Sequence, residues 1–171
     1  MELVEPSTKY RDSYLAARRE DGKNAKEIKD GIRFDLIEND FASFIESLKA
    51  RSKGHGLPAG YVADTKLWLV DGNEYIGSVT IRHSLTPQLL NVGGHIGYNI
   101  RTSQRRKGYG KKILELALPK AKELGIDKVL LTCDETNEGS RKIIEANGGV
   151  FEDKRPNPEG GPDKLRFWIT L

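Results

Sequence analysis

Gly93-Gly94-His95-Ile96-Gly97-Tyr98-Asn99-Ile100, followed three residues later by Gln104-Arg105-Arg106-Lys107-Gly108-Tyr109-Gly110, decides how this chain is to be read. The first run alternates as a strand does, and after the second Ile113, Leu114, Ala117, Leu118, Ala121 and Leu124 recur at helical spacing. A basic, glycine-containing turn therefore joins a strand to a helix. The first N–H groups of such a helix lack partners and its macrodipole favours negative charge, so the junction is a natural anion cradle. Glycines allow the main chain to approach a phosphate closely. Arg105, Arg106, Lys107, Lys111 and Lys112 add positive charge around it. The turn is neither of two familiar phosphate loops. Gly108-Tyr109-Gly110-Lys111-Lys112 lacks the third glycine of a dinucleotide fingerprint, and no G-x-x-x-x-G-K-S/T stretch occurs.

Downstream, Gly125 closes the helix, Asp127 to Cys133 reads as a strand, and the connection predicts a right-handed crossover that makes the two strands parallel. Pro119, inside the helix, should bend it. Asn137 starts a short helix with Ile143, Ile144 and Ala146 on its apolar side, stopped by Asn147-Gly148-Gly149. Val150 to Lys154 and Lys164 to Thr170 read as the last strands, joined by a Pro/Gly-rich loop. Upstream, Leu67-Trp68-Leu69-Val70, the turn Asp71-Gly72-Asn73 and Tyr75 to Arg82 form a hairpin. A third antiparallel strand is expected from about Leu89, after Pro87. Asp40 caps a helix with Phe41, Phe44, Ile45 and Leu48 on one face. Near the N-terminus, Glu2 to Glu5 reads as a strand, and Ser7 or Thr8 caps a helix reaching Arg19. The polar stretch from Glu20 to Lys29 reads as a loop or frayed helix.

Composition narrows the classes. A chain of 171 residues with 37% hydrophobic content suits one sizeable core, so a single domain over residues 1–171 is expected. With 28 basic and 25 acidic residues the net charge is +3, which does not demand nucleic acid. The lone Cys133, in an apolar run, reads as a buried thiol in a reducing compartment. No segment has the length of a membrane span or the core of a signal peptide, which points to a cytoplasmic protein. The histidines have no metal-ligand spacing with Cys133, so no metal is expected.

Arg105-Arg106-Lys107-Gly108-Tyr109-Gly110 resembles the Arg/Gln-x-x-Gly-x-Gly/Ala loop of the GNAT superfamily of acetyl-CoA-dependent N-acyltransferases. His95-Ile96-Gly97-Tyr98 looks like the strand that precedes that loop in the superfamily, often written E-I-G-Y. Asn137, Ser140, Gly148 and Gly149 fit its Asn-started helix and the glycine after it. The match in order runs from Val92 to Phe151. The resemblance implies an α/β (α+β mixed sheet) fold: a mostly antiparallel twisted sheet with one parallel strand pair and helices on both faces. It also implies that Tyr98, Asn99 and Ile100 hydrogen-bond the pantetheine arm and thioester of acetyl-CoA. Arg105, Arg106, Lys107, Gly108, Tyr109, Gly110 and Lys111 would hold the pyrophosphate, and Asn137 would contact the pantetheine.

Acyl transfer to an amine needs a neutral nucleophile and a proton source for the departing thiolate. His95 stands where the superfamily often has a Glu base, and an imidazole, with a reference pKa of about 6.5, suits that work. The alternative for His95 is a hydrogen-bonding role within the sheet. Many relatives carry a Tyr general acid seven residues after the Asn; here that position is Ile144, which has no proton to give. Tyr98, Tyr109, another residue or water would have to serve. His83, Arg82, Phe34, Asp35 and Glu38 are candidates for contacting the acceptor, a primary amine of a small molecule or peptide. Two other functions compete with the enzyme: a non-catalytic acyl-CoA-binding module of the same fold, and a basic RNA-contacting domain using Arg105 to Lys112 with Tyr109. The single aromatic there speaks against RNA. A homodimer through the last strands stays open.

Overall fold

Leu67-Trp68-Leu69-Val70 has no polar face to offer, and the strand that contains it, β2 (Asp64–Asp71), is buried on both sides. The computed structural model describes residues 1–20 and 34–171, the side chains of 34–36 excepted. β3 (Glu74–Arg82) returns along β2 through a turn in which Gly72 takes a φ of 59°. β1 (Glu2–Val4) flanks β2 and β4 (Ile96–Ile100) flanks β3, all antiparallel, giving the order β1-β2-β3-β4. One face packs Leu67, Leu69, Val79 and Ile81 against Ile113, Leu114, Ala117 and Ala121 of α4 (Tyr109–Glu123). The other face presents Trp68, Val70 and Tyr75 to α1 (Arg11–Glu20), α2 (Phe34–Asn39) and α3 (Phe41–Ser52). Tyr14 stacks on Trp68 there at 4.7 Å between ring centroids, and Phe41 and Phe44 close the aromatic cluster. Such pairs add to the burial of large rings, so the second core is carried by few residues.

The helix starts follow the expected capping. Asp40 accepts the Ser43 N–H at 3.0 Å and begins α3. Ser7 accepts the Lys9 N–H and starts a 3-10 turn, Thr8–Tyr10, that leads into α1. Beyond Glu20, the polar stretch read as a loop lies outside the described residues. α4 runs unbroken through Pro119.

The expected third strand is corrected. Leu89–Gly93 forms a π-helical turn, and β4 begins only at Ile96. Thr86 is the local cause, since its hydroxyl accepts the Leu89 N–H and its carbonyl accepts the Leu90 N–H, which commits the backbone to a helical turn. β5 (Lys128–Asp134), β7 (Lys164–Thr170) and β6 (Val150–Arg155) make a second antiparallel sheet in the order β5-β7-β6. β4 and β5 run in the same direction, His95 lying against Leu130 and Tyr98 beside Cys133, but no ladder joins them. The mixed sheet is thus split at its parallel pair. α5 (Glu138–Glu145) follows β5.

Candidate functional site

The site begins where β4 leaves β5. At His95 the two strands touch: its N–H donates to the Leu130 carbonyl at 2.7 Å, and the Leu130 N–H donates to its Nδ1 at 2.9 Å. Five residues further on, the strands have separated around a cavity of about 460 Å³. Tyr98, Asn99 and Ile100 line it from β4, Arg105, Arg106 and Gly110 from the loop and α4, and Asn137, Gly139, Ser140 and Ile143 from the start of α5. The edge of β4 that faces β5 has no ladder partner, so its main-chain groups, apart from the Ile100 carbonyl that Arg105 engages, are not taken up in a sheet and can meet a ligand.

Local sequence explains the loop. Gly108 is the N-cap of α4 with a φ of 82°, a left-handed conformation that glycine adopts without a Cβ penalty. Arg106 also has a positive φ, 61°. The Arg105 guanidinium turns back and donates from Nε to the Ile100 carbonyl at 3.0 Å, closing the loop onto the last residue of β4. Lys107 donates to Gln104 at 2.9 Å. Lys107, Gly108, Tyr109 and Lys111 continue the loop and the first helical turn, but they are outside the cavity lining, and Tyr109 packs against the core. Asn137 caps α5 by accepting the Ser140 N–H at 3.0 Å, which fixes its side chain and leaves its NH₂ group to donate to a ligand.

Tyr98 spans the opening. Its hydroxyl lies 2.9 Å from the Ser140 hydroxyl, and burial pushes its pKa up to about 12, with the nearby Cys133 acting in the same direction. It therefore holds its proton at any ordinary pH. Ile144, in the position where a Tyr acid was missing, is wholly buried in the core.

His95 does not have the geometry of a base. It is 9% exposed, it is outside the lining of the cavity, and its Nδ1 lone pair is taken by Leu130. In that neutral ring the proton sits on Nε2, which leaves no lone pair to receive one from a substrate. Burial, helped by the charge of Arg82, also lowers its pKa. The contacts that the structure gives His95 are those of the hydrogen-bonding alternative.

Of the candidates for the acceptor, Arg82 lines a second cavity of about 490 Å³ with Lys66, Thr80, Thr86, Gln88 and Glu159. Gly97 lies beneath the Arg82 guanidinium. His83 hydrogen-bonds Thr65 at 2.8 Å. Glu38 pairs with Arg19, and the side chains of Phe34 and Asp35 lie outside the described residues. Sequence reasoning missed Glu20 and Arg101. The buried Arg101 pairs with Glu20, which also accepts the Ser103 N–H at 3.3 Å, tying the end of α1 to the start of the loop. Among the described residues no group of three or more His, Cys, Asp or Glu is placed to hold a metal, and no helix is long and apolar enough to cross a membrane.

The acetyltransferase (GNAT) domain family has a model that matches residues 14–150. Solved structures of similar fold include Mycobacterium smegmatis RimJ in complex with CoA-disulfide, at 17% identity over 98% of this chain and 80% of that one, with a TM-score of 0.70. The microcin C7 self immunity acetyltransferase MccE in complex with acetyl-CoA and AMP aligns at 15% identity over 99% and 91%, with a TM-score of 0.68. An acetyl transferase from Salmonella typhimurium that modifies the N-terminal serine of ribosomal protein L7/L12 aligns at 13% identity over 99% and 94%, with a TM-score of 0.67. At these identities the likeness is one of fold. No curated protein matches the chain.

Proposed function

The chain belongs to the GNAT acetyltransferase family, and on that premise we propose that it transfers the acetyl group of acetyl-CoA to a primary amine of a small molecule or a peptide. The observation that carries this reading is the cavity between β4 and α5, in which Tyr98, Asn99, Ile100, Arg105, Arg106, Gly110 and Asn137 converge although up to 39 positions separate them. The cavity fits the cofactor in kind: an open strand edge for an amide-bearing arm, and a basic loop with a glycine-capped helix start for a pyrophosphate. Acetyl-CoA would supply the activated acyl group. A neutral amine would form the new C–N bond as the C–S bond breaks; the amine proton would leave to water, the Tyr98 hydroxyl would give its proton to the departing thiolate, and water would return one to Tyr98 at once, as its high pKa requires. Ser140, bonded to that hydroxyl, orients it. The surface offered to a homodimer is the one that Val150 and Phe151 expose on the outer strand β6.

One observation favours a second reading. With His95 engaged, no carboxylate or imidazole lines the cavity among the described residues, which suits a module that binds acyl-CoA without turnover. A panel of amines and peptides, read out as free CoA thiol, separates the two. Turnover of at least one amine is expected. Tyr98→Phe should lower kcat by roughly tenfold to a hundredfold while leaving acetyl-CoA affinity within about threefold. Thermal stabilisation by acetyl-CoA with no acceptor consumed would select the binding module, and stabilisation by a short RNA alone would overturn both.

A further inference from the structure

Leu130 is wholly buried and faces Trp168 across the β5–β7 ladder, yet both of its main-chain polar groups are satisfied on the opposite side, by one residue. Its carbonyl accepts the His95 N–H and its N–H donates to the His95 ring. Without the imidazole, a buried N–H would be left unpaired at the point where two sheets meet.

The segment around His95 is held from several directions. The Thr132 hydroxyl donates to the Val92 carbonyl at 2.9 Å, the Arg82 guanidinium donates to the Gly94 carbonyl at 2.9 Å, and the Arg82 N–H donates to the His95 carbonyl at 2.8 Å. Gly94 has a φ of 69°, and a Cβ there would stand 2.5 Å from the Leu130 carbonyl oxygen, a backbone atom that cannot swing away. The main chain thus comes closer to β5 than any side chain at 94 permits. The His95 ring also lies 6.4 Å from that of Trp168, tilted by 60° to it. Immediately beyond, β4 and β5 part and the cavity opens between β4 and the start of α5, where the Tyr98 and Ser140 hydroxyls meet.

We propose that His95 is a positioning residue: its ring, accepting the Leu130 N–H at Nδ1, pins the vertex of the cleft between the two sheets and so sets the gap that receives the pantetheine arm of acetyl-CoA. This rests on the cofactor reading above. The pin acts through the δ-position acceptor, not through proton transfer, and that distinction makes it testable. Asn carries an oxygen at the same δ position, Gln carries its oxygen one bond further out, and Leu carries none.

The experiment compares His95→Asn, His95→Gln and His95→Leu with the wild type, measuring the exchange of the Leu130 amide by NMR without ligand, acetyl-CoA affinity by titration, and turnover of whichever amine the panel finds. His95→Asn should keep the Leu130 amide protected, hold acetyl-CoA affinity within about threefold and retain turnover. His95→Gln and His95→Leu should speed that exchange and weaken acetyl-CoA by roughly tenfold. Should His95→Leu not fold, His95→Gln carries the same prediction. Unchanged Leu130 exchange in both would overturn the proposal. So would acetyl-CoA binding in His95→Asn as weak as in His95→Gln, or loss of its turnover with binding intact, which would restore a base. No binding by the wild type would sink the cofactor reading instead, and the Leu130 amide would still decide whether the pin exists.

Discussion

Glu20 and Arg101 are 81 positions apart and hold the loop at its root. Arg101 is buried, donates to the Tyr75 carbonyl at 3.3 Å, and pairs with a carboxylate that in turn accepts the Ser103 N–H. The hydrogen bond from Arg101 is the main cause that holds the Glu20 pKa down from 4.5 to about 2, against the opposing effect of burial. A carboxyl whose folded pKa lies below its unfolded one contributes stability above the unfolded value and loses it as pH falls towards the folded one. The wild type should therefore be more stable than Glu20→Gln at about pH 6, and the gap should shrink as the pH is taken from about 4.5 towards about 2. Urea midpoints for both proteins across that range are the measurement, and a gap independent of pH would refute the pairing. Neither residue carries any mark in the sequence, because a contact between distant residues leaves no trace in periodicity or capping. The turn at Gly108 was legible for the opposite reason: a glycine just before a helix start is a local pattern. His95 was half legible. Its type and place drew attention, but the direction of its ring depends on Leu130, 35 residues away.

At the level of elements, the crossing of α4 and α5 decides where the cavity closes. Gly110, in the first turn of α4, faces Ile143 of α5, and a Cβ at 110 would meet the Ile143 Cδ1 at 2.5 Å. The Asn147 side chain ties the same two helices, donating to the Ile143 carbonyl at 2.8 Å and the Lys111 carbonyl at 3.3 Å. Gly110 thus has a packing duty that the sequence pattern, which pointed to close approach of a phosphate, did not reveal. Gly110→Val should destabilise the fold by about 1–3 kcal/mol through overpacking. Ile143→Ala vacates that space, so the valine should cost less in its presence, with a coupling of about 0.5 kcal/mol or more. Strict additivity in a double-mutant cycle of denaturant midpoints would mean that the helices do not meet there. The hairpin β2–β3 and the capped helices α3 and α5 were legible because each rests on local chemistry. The turn Leu89–Gly93 was not, since an apolar pair beside a proline fits a strand as well as a helical turn, and the Thr86 bonds that choose between them depend on the backbone already being curved.

Across the molecule, the two apolar clusters share the first sheet. Leu67 and Leu69 of β2 belong to one, and Trp68 and Val70, interleaved with them, belong to the other. The second sheet joins through Val129, Leu131, Phe167 and Ile169, which lie in the first cluster with Ile113 and Leu114 of α4. A strand cannot lose one face and keep the other, so we propose that the described chain unfolds as a single cooperative unit despite its split sheet, as expected of one domain. The weak joint between the sheets, a vertex without a ladder, is then a feature of the cleft and not a boundary between independent parts. On the proposed reading acetyl-CoA lies between β4 of the first sheet and α5 beyond the second, and it should stabilise both together. At about one hundred times its dissociation constant it would add about 2.7 kcal/mol and raise the melting midpoint by roughly 5–10 °C. Calorimetry should find one transition whose calorimetric and van't Hoff enthalpies agree, moved as a whole by the cofactor. Two transitions, of which acetyl-CoA moved only one, would show that the sheets fold apart and that the cleft lies within one of them.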